Sequence, residues 1–453
     1  MKSDYRMETR IPTAPTAPTM EIASPSAEAS QGQPFPRFLQ PPVPTVFTLE
    51  ITPRCQLHCR GCGNVFSHDP HTTPELDAEA WQAILERLRP LARALRITGG
   101  EPTLHPQFDA IIRQVDVLGV PFVVFTNGQW PNPVKIIRIL RSARHLRGIL
   151  VSMHGDDAES YSCYTGSTGN DDFLRLTAHI RQAAAAGLRV VTNTLLLRTT
   201  IDHLAEIAHL AFNLGVSGVS FGRYYGVPLP DLTPDADALR SALRQIATLR
   251  QNDPRITLSN CVPICFLPDT DFGGRGCTSG FTHATIGPQG DVRPCTHTAL
   301  TLGNIHHGHD QIEALWQSPA LEAWRRAVPE TCWRCAALSR CKGGCRATAR
   351  QLNLPHDPLM SAAAPLETYP PAWVSTVTLN DSDRPRLVCT VEQTSYGYAL
   401  TGTGHFVTLS SLSGPILHML DGHTTVAQLR ERFGPIGLQV VANLLMRRLA
   451  TVR

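Results

Sequence analysis

The cysteines of this 453-residue chain, 13 in all, are clustered: three lie in Cys55-QLH-Cys59-RG-Cys62 and four in Cys332-WR-Cys335-AALSR-Cys341-KGG-Cys345. The N-terminal stretch MKSDYRMETRIPTAPTAPTM has neither the apolar core nor the cleavage pattern of a secretory signal. The expectation is therefore a cytoplasmic chain with reduced thiols, in which clustered cysteines serve metals or redox chemistry rather than disulfides. No apolar run reaches the roughly 20 residues of a membrane span, so no membrane partner is expected. A formal net charge of +3, with 17% charged residues, gives no excess for binding nucleic acid.

Residues 1–44 are rich in Pro, Thr, Ala and Ser and poor in large apolar groups, the composition of a disordered tail. From Val46 short β-rich runs (VFTLEIT, ALRITGG, PFVVFTNG, GILVSMHG, RVVTNTLLL, GVSFGRYYG) alternate with helical periodicity. Such βα units require right-handed crossovers and a parallel sheet, and six in succession suit a partial (β/α)6 barrel over residues 45–255, with chemistry at the strand ends. A further helix is expected over Leu239 to Leu249. Residues 256–360 are Cys- and Gly-rich and form a second module, and a Pro- and Ala-rich linker over 361–386 follows. The last module, 387–453, opens with a hairpin signal, GYALTG-TGHFVTL, with Gly402 and Gly404 at the turn. Three short helical patterns complete it, an α+β module of winged-helix size: Ile416, Leu417 and Leu420; Val426, Leu429 and Phe433; Val440, Leu444, Leu445 and Leu449.

Three thiolates on one short loop can hold three irons of a 4Fe-4S cubane and leave the fourth open for chemistry. Zinc competes, but a structural zinc site needs four ligands, and His58 and His68 are the only others close by. The next strand ends in Gly99-Gly100-Glu101-Pro102, where glycines let backbone approach a small molecule and the glutamate can accept hydrogen bonds from an ammonium. Alone, that segment also reads as an ordinary βα turn.

Together the three-cysteine loop and GGEP resemble the radical S-adenosylmethionine (SAM) superfamily, over roughly Val46 to Tyr225. The resemblance implies that Cys55, Cys59 and Cys62 carry a 4Fe-4S cluster whose open iron chelates SAM. It also implies that Gly99, Gly100, Glu101 and Pro102 hold the amino group of SAM, and that Ser152 and Asn193 contact the ribose or the methionine carboxylate. Thr126-Asn127-Gly128 and His154 lie at other strand ends, and Arg223 and Tyr224 beyond the sixth strand face the same mouth. The catalytic acid or base is not assignable. The position before the third cysteine, commonly aromatic in the family, is Gly61 here, so adenine must pack elsewhere.

Cys277, then Gly290 and Cys295, then the four-cysteine run resemble the SPASM extension. As bare chemistry the run also suits a four-thiolate zinc site. The resemblance implies a first auxiliary iron-sulfur cluster on Cys277, Cys295 and Cys345 and a second on Cys332, Cys335 and Cys341. The seventh cysteine of the pattern is expected just after Asp357-Pro358, where Leu359 and Met360 stand. Asp357 or His356 is a substitute ligand to the second cluster, unless its fourth iron is open or the cluster is missing or of another type. For the first cluster Cys261, Cys265 and His283 are candidate fourth ligands. Cys163, Cys261, Cys265 and Cys389 otherwise read as small buried hydrophobes.

The C-terminal run HFVTLSSLSGPILHMLDGHTTVAQLRERFG resembles the PqqD-like peptide-binding domain, or RiPP recognition element, through Leu409, Ser413, Ile416, Asp421, Gly422, Thr425 and Val426. That resemblance implies binding of a precursor-peptide leader by strand addition. A DNA-binding winged helix has only Arg430 and Arg432, or Arg447 and Arg448, for phosphates, and a structural cap is the third reading. The expectation is a radical SAM enzyme that crosslinks or oxidises a ribosomally made peptide, fed by an electron donor such as flavodoxin or ferredoxin. The alternatives are a radical SAM/SPASM enzyme acting on a small molecule or a folded protein, and a metal-cluster redox sensor.

Overall fold

Val, Ile, Leu and Phe at alternate positions make the six expected runs strands, and each buries a face against helices whose apolar stripe recurs every three or four residues. The strands are β1 (Val46–Glu50), β2 (Ala94–Thr98), β3 (Phe122–Thr126), β4 (Leu146–Ser152), β5 (Val190–Leu196) and β6 (Gly218–Arg223). They alternate with α1 (Ala78–Leu88), α2 (Phe108–Val117), α3 (Pro133–Ser142), α4 (Ala158–Thr165), α5 (Asn170–Ala185) and α6 (Leu204–Asn213), and α7 (Ala236–Asn252) follows β6. The computed structural model describes residues 43–66, 73–167, 170–225, 228–259, 262–268, 276–307, 311–335, 338–361, 379–394, 397–402, 405–409 and 413–452. Most of the expected tail and linker, with His68, Cys261 and Gly404, lies outside the described residues.

All neighbouring pairs from β1 to β6 are parallel and follow chain order. The sheet continues past both ends: β7 (Ile256–Leu258) joins β6 and β8 (His283–Ile286) joins β1, both parallel. Antiparallel β9 (Asp291–Arg293) and β10 (Gly303–Asn304) complete one edge. The order is β10-β9-β8-β1-β2-β3-β4-β5-β6-β7. Residues of the expected core and of the expected cysteine-rich module thus share one sheet, within a compact unit spanning 44–332 and 340–364.

Short polar signals set the element boundaries. Asp77 caps α1, Asn132 precedes Pro133 at the start of α3, and Asp157 and Ser160 close a reciprocal capping box on α4. α4, which sequence periodicity did not disclose, ends at Gly166 in the left-handed region. Glu50, at the end of β1, is fully buried and pairs with the buried Arg293 at the end of β9. Arg293 also bonds Asp291 (2.8 Å) and the carbonyls of Thr296 and Thr298 (3.2 Å each). This buried network fixes the approach to Cys295.

The second unit contains residues 365–453 and the short segment Trp333–Ser339. β11 (Pro385–Leu387) pairs antiparallel with β15 (Ala450–Val452), and β12 (Thr390–Thr394), β13 (Gly397–Gly402) and β14 (His405–Leu409) form an antiparallel meander. Helix Gly414–His418 and the helical stretch Val426–Met446 cover a core of Leu400, Ile416, Leu417, Leu429, Val441 and Leu444. The stretch breaks at Gly434 (φ 61°, ψ −157°), so three helical pieces follow the hairpin, as the periodicity predicts. A proline follows Gly434, and the residue before proline disfavours the α conformation.

Candidate metal centres

Beyond the paired ends of β1 and β2, the two chains keep hydrogen bonding. Gly100 N donates to Thr52 O and Glu101 N to Arg54 O, both at 2.7 Å. A Cβ on Gly99 would lie 2.3 Å from Thr52 O, and one on Gly100 would lie 2.2 Å from Arg54 O. The glycines of GGEP therefore admit the backbone that leads directly into Cys55. That differs from the expectation of glycines opened toward a small molecule. Pro102 starts a turn of 3-10 helix, capped by Glu101.

Glu101 also departs from its expected role. Its carboxylate is fully buried and accepts from Thr103 N (3.2 Å), Thr103 Oγ1 (2.6 Å), Thr126 Oγ1 (2.8 and 3.0 Å) and Asn127 N (2.6 Å). A carboxylate has about four lone-pair sites, so these donors use its capacity and leave none for an incoming ammonium. Burial pushes its pKa up, and the bonds from Thr103, Asn127 and Thr126 hold it down. Its work is to join the ends of β2 and β3. Asn127, fixed in this way, reaches Cys55 Sγ (3.6 Å) and Gln56 Oε1 (3.2 Å).

The cysteine loop rests on the end of α4. Arg60 N donates to Tyr164 O (2.7 Å) and His58 N to Thr165 O (3.3 Å). Gly61 is left-handed (φ +63°), and the Tyr224 hydroxyl donates to its carbonyl (3.2 Å). Cys55 and Cys59 are half-buried and Cys62 is exposed. Burial, Glu101 and Cys62 push the Cys55 thiol up to about 11, and burial with Cys62 and Cys55 raises Cys59. Three thiolates in mutual Coulomb reach, two of them half-buried, are unfavourable alone, and iron binding removes that penalty. Among the described residues no three His, Cys, Asp or Glu side chains converge tightly enough for one metal ion. A cubane takes its cysteines through separate irons, and three thiols on one short loop match three such irons. The His58 side chain is exposed.

Cys277 and Cys345 both lie within Coulomb reach of Cys295. Burial and then the charges of Cys277 and Cys345 push the Cys295 thiol up to about 12. The buried Arg346 guanidinium lies within reach of Cys277, Cys341 and Cys345, a fixed cation beside an anionic centre. Backbone amides of His297 (3.4 Å) and Thr348 (3.5 Å) donate to the sulfurs of Cys295 and Cys345. In the second set, Cys341 is buried and accepts from Ile264 N (3.5 Å), and Cys332 is half-buried. Cys335, also half-buried, lies in the segment grouped with the C-terminal unit.

Two substitute ligands do not stand free. Asp357 accepts both arms of the Arg223 guanidinium (2.5 and 3.0 Å), Cys345 N (2.6 Å) and Leu359 N (3.0 Å), so its oxygens are committed to the protein. Arg223 therefore does not open onto the expected mouth. His283 engages Thr48 Oγ1 (2.7 Å) through Nε2 and Ser279 Oγ (3.3 Å) through Nδ1, which occupies both ring nitrogens. His356 is half-buried. Where a seventh cysteine was expected, Leu359 and Met360 are buried and Met360 Sδ accepts from Gly344 N (3.1 Å). Cys163 packs beside Tyr164 and Leu195, Cys389 beside the C-terminal core, and half-buried Cys265 follows Ile264.

Ser152 and Asn193 sit side by side in the β4–β5 register, half-buried, and neither side chain is tied up by a hydrogen bond among the described residues. They contrast with His154, whose buried Nδ1 accepts from Leu195 N (3.2 Å) while its ring meets Tyr164 edge-on. The Glu50–Arg293 network, Tyr225 and His297 escaped the sequence reading.

The profile of the Radical SAM superfamily matches residues 49–211, and that of an iron-sulfur cluster-binding domain, SPASM, matches 277–336. The chain is 27% identical over 326 residues to a PqqA peptide cyclase of Streptomyces rochei, covering 68% of this chain and 86% of that one. A PqqA peptide cyclase of Ruegeria pomeroyi is 26% identical over 333 residues, 70% of this chain and 86% of the relative. Among solved structures, Streptococcus suis SuiB bound to precursor peptide SuiA superposes with a TM-score of 0.59 at 17% identity, covering 70% of this chain and 76% of SuiB. The protein anSMEcpe with bound AdoMet gives 0.54 at 16%, covering 72% and 94%. Both structures support the same fold. With the three-thiol loop braided into GGEP, these matches give the chain a Radical SAM domain over 49–211 and a SPASM iron-sulfur cluster-binding domain over 277–336, and mark it as an enzyme.

Proposed function

We propose that this enzyme matures a ribosomally made precursor peptide, forming a crosslink or an oxidised residue. The observation that carries the reading is the Cys55-Cys59-Cys62 loop, joined through Asn127 and Glu101 to the ends of β2 and β3. Cys55, Cys59 and Cys62 would hold a 4Fe-4S cluster, which with SAM and one electron from a donor would supply 5′-deoxyadenosyl radical chemistry for hydrogen abstraction from the substrate. The protein holds the loop through Gly100, Glu101 and Tyr164, and offers Ser152 and Asn193 as free polar groups toward SAM. Its auxiliary thiols would hold one or two further clusters, and an electron donor such as flavodoxin or ferredoxin would serve the first.

Two observations support a peptide substrate. The curated relatives are named PqqA peptide cyclases, and the SuiB structure holds its precursor peptide. The C-terminal unit carries the run that resembles a PqqD-like domain, and among the described residues β12 and β14 are the outer strands of its three-stranded sheet. An outer strand presents unpaired amides and carbonyls, which a leader can satisfy by adding a strand. No helix among the described residues is long and apolar enough to cross a membrane, and a cytoplasmic location fits reduced thiols.

The test is to incubate the reconstituted enzyme, SAM and reductant with short peptides encoded beside its gene, and read masses. Loss of two hydrogens from one peptide is the expected result for a crosslink. Unchanged peptides alongside sustained 5′-deoxyadenosine formation would move the substrate to a small molecule or a folded protein.

A further inference from the structure

Behind the first auxiliary thiol set lies a buried ion pair that the cluster pattern does not require. Arg223, the last residue of β6, grips Asp357 with Nη1 on Oδ2 (2.5 Å) and Nη2 on Oδ1 (3.0 Å), and both side chains are buried. The same Oδ2 accepts from the backbone N–H of Cys345 (2.6 Å), and Oδ1 accepts from Leu359 N (3.0 Å). A Cβ on Gly344 would lie 2.3 Å from Oδ2, so the chain beside Cys345 is closed down on the carboxylate.

The residues after Arg223 turn to the other cluster. Tyr224 Oη donates to Gly61 O (3.2 Å), between Cys59 and Cys62. The ring of Tyr225 lies on that of His297 (centroids 4.7 Å, 32° between planes). His297 Nδ1–H donates to Gly63 O (2.9 Å), one residue past Cys62, while its backbone N–H donates to Cys295 Sγ (3.4 Å). Arg223-Tyr224-Tyr225 is thus one short segment in touch with the carriers of Cys62, Cys295 and Cys345.

We propose that Arg223 and Asp357 are positioning residues for the first auxiliary centre. Asp357, in the stretch where the SPASM pattern expects a seventh cysteine, anchors Cys345 from behind and does not bind iron. Arg223 fastens that anchor to the end of β6, and so to the loop that carries Cys62. The inference rests on the reading of Cys277, Cys295 and Cys345 as cluster ligands. A buried anion beside a cluster disfavours added negative charge, and a buried cation favours it. The two side chains therefore act on the reduction potential of the auxiliary cluster with opposite sign.

The test uses full-length, anaerobically reconstituted enzyme: iron and sulfide content, Mössbauer spectra, and redox titration followed by electron paramagnetic resonance. Asp357→Asn keeps an acceptor for Cys345 N but removes the charge. It should leave iron content at the wild-type level and shift the auxiliary midpoint potential upward. Arg223→Gln should leave the content unchanged and shift the potential downward. Should one variant not fold, the sign of the other still decides. Loss of iron or an altered iron site in Asp357→Asn would make Asp357 a ligand and overturn the proposal. Unchanged potentials, or shifts of the same sign, would also overturn it. Wild-type protein that loads no auxiliary cluster would overturn the ligand assignment on which it stands.

Discussion

Glu50 shows what a linear reading misses at the scale of one residue. In VFTLEIT a glutamate reads as a polar strand position, yet it is fully buried against Arg293 from a strand more than two hundred residues away. Its partner is invisible without the β1–β8–β9 pairing. Removing one member of a buried pair strands the other, at a typical cost of about 3–5 kcal/mol. Glu50→Gln should therefore lower stability by several kcal/mol in thermal or urea unfolding, and a loss within error of zero would refute the buried pairing. Glu101 and Asp357 teach the same lesson: each reads in the sequence as a carboxylate open to a ligand, and donors from the chain occupy their oxygens.

His154 carries a pH consequence. Burial depresses its pKa to about 4, against roughly 6.5 for an unperturbed histidine. Between those values the unfolded chain binds a proton that the folded chain refuses. Its contribution is full above about pH 6.5 and falls away toward pH 4, by at most about 3 kcal/mol. Burial moves His283 and His297 in the same direction. His154→Asn should flatten the dependence of urea midpoint on pH between 7 and 5, and a dependence as steep as wild type would contradict this.

At the scale of elements, the six βα strands, α7 and the C-terminal hairpin were legible because periodicity and turn residues act locally. Short α4, with little apolar periodicity, and three- or four-residue β7, β8 and β9 were not, because long-range pairing makes them. GGEP was found, but the neighbour its glycines admit was not. Gly100→Ala sets a Cβ against Arg54 O (2.2 Å) and Pro53 O (2.6 Å), backbone atoms that cannot swing aside. The variant should lose iron from the first cluster, read as a lower iron-to-protein ratio after reconstitution, with the auxiliary spectrum retained. Full iron loading would show that the loop tolerates separation from GGEP.

Over the whole molecule, the cysteine pattern disclosed the chemistry long before any strand pairing could be known, because ligand spacing is local in sequence. What it did not disclose is that the cysteine-rich module extends the sheet past β1 with β8, β9 and β10, and that Asp357 ties Cys345 to Arg223 at the end of β6. The central claim is that Cys55, Cys59 and Cys62 hold the cluster that cleaves SAM. It is tested most directly by measuring 5′-deoxyadenosine from reduced, reconstituted wild type and from the Cys55→Ala/Cys59→Ala/Cys62→Ala variant. The prediction is product from wild type and none from the variant, which keeps its auxiliary iron. Equal product from both, or none from fully loaded wild type, would contradict it.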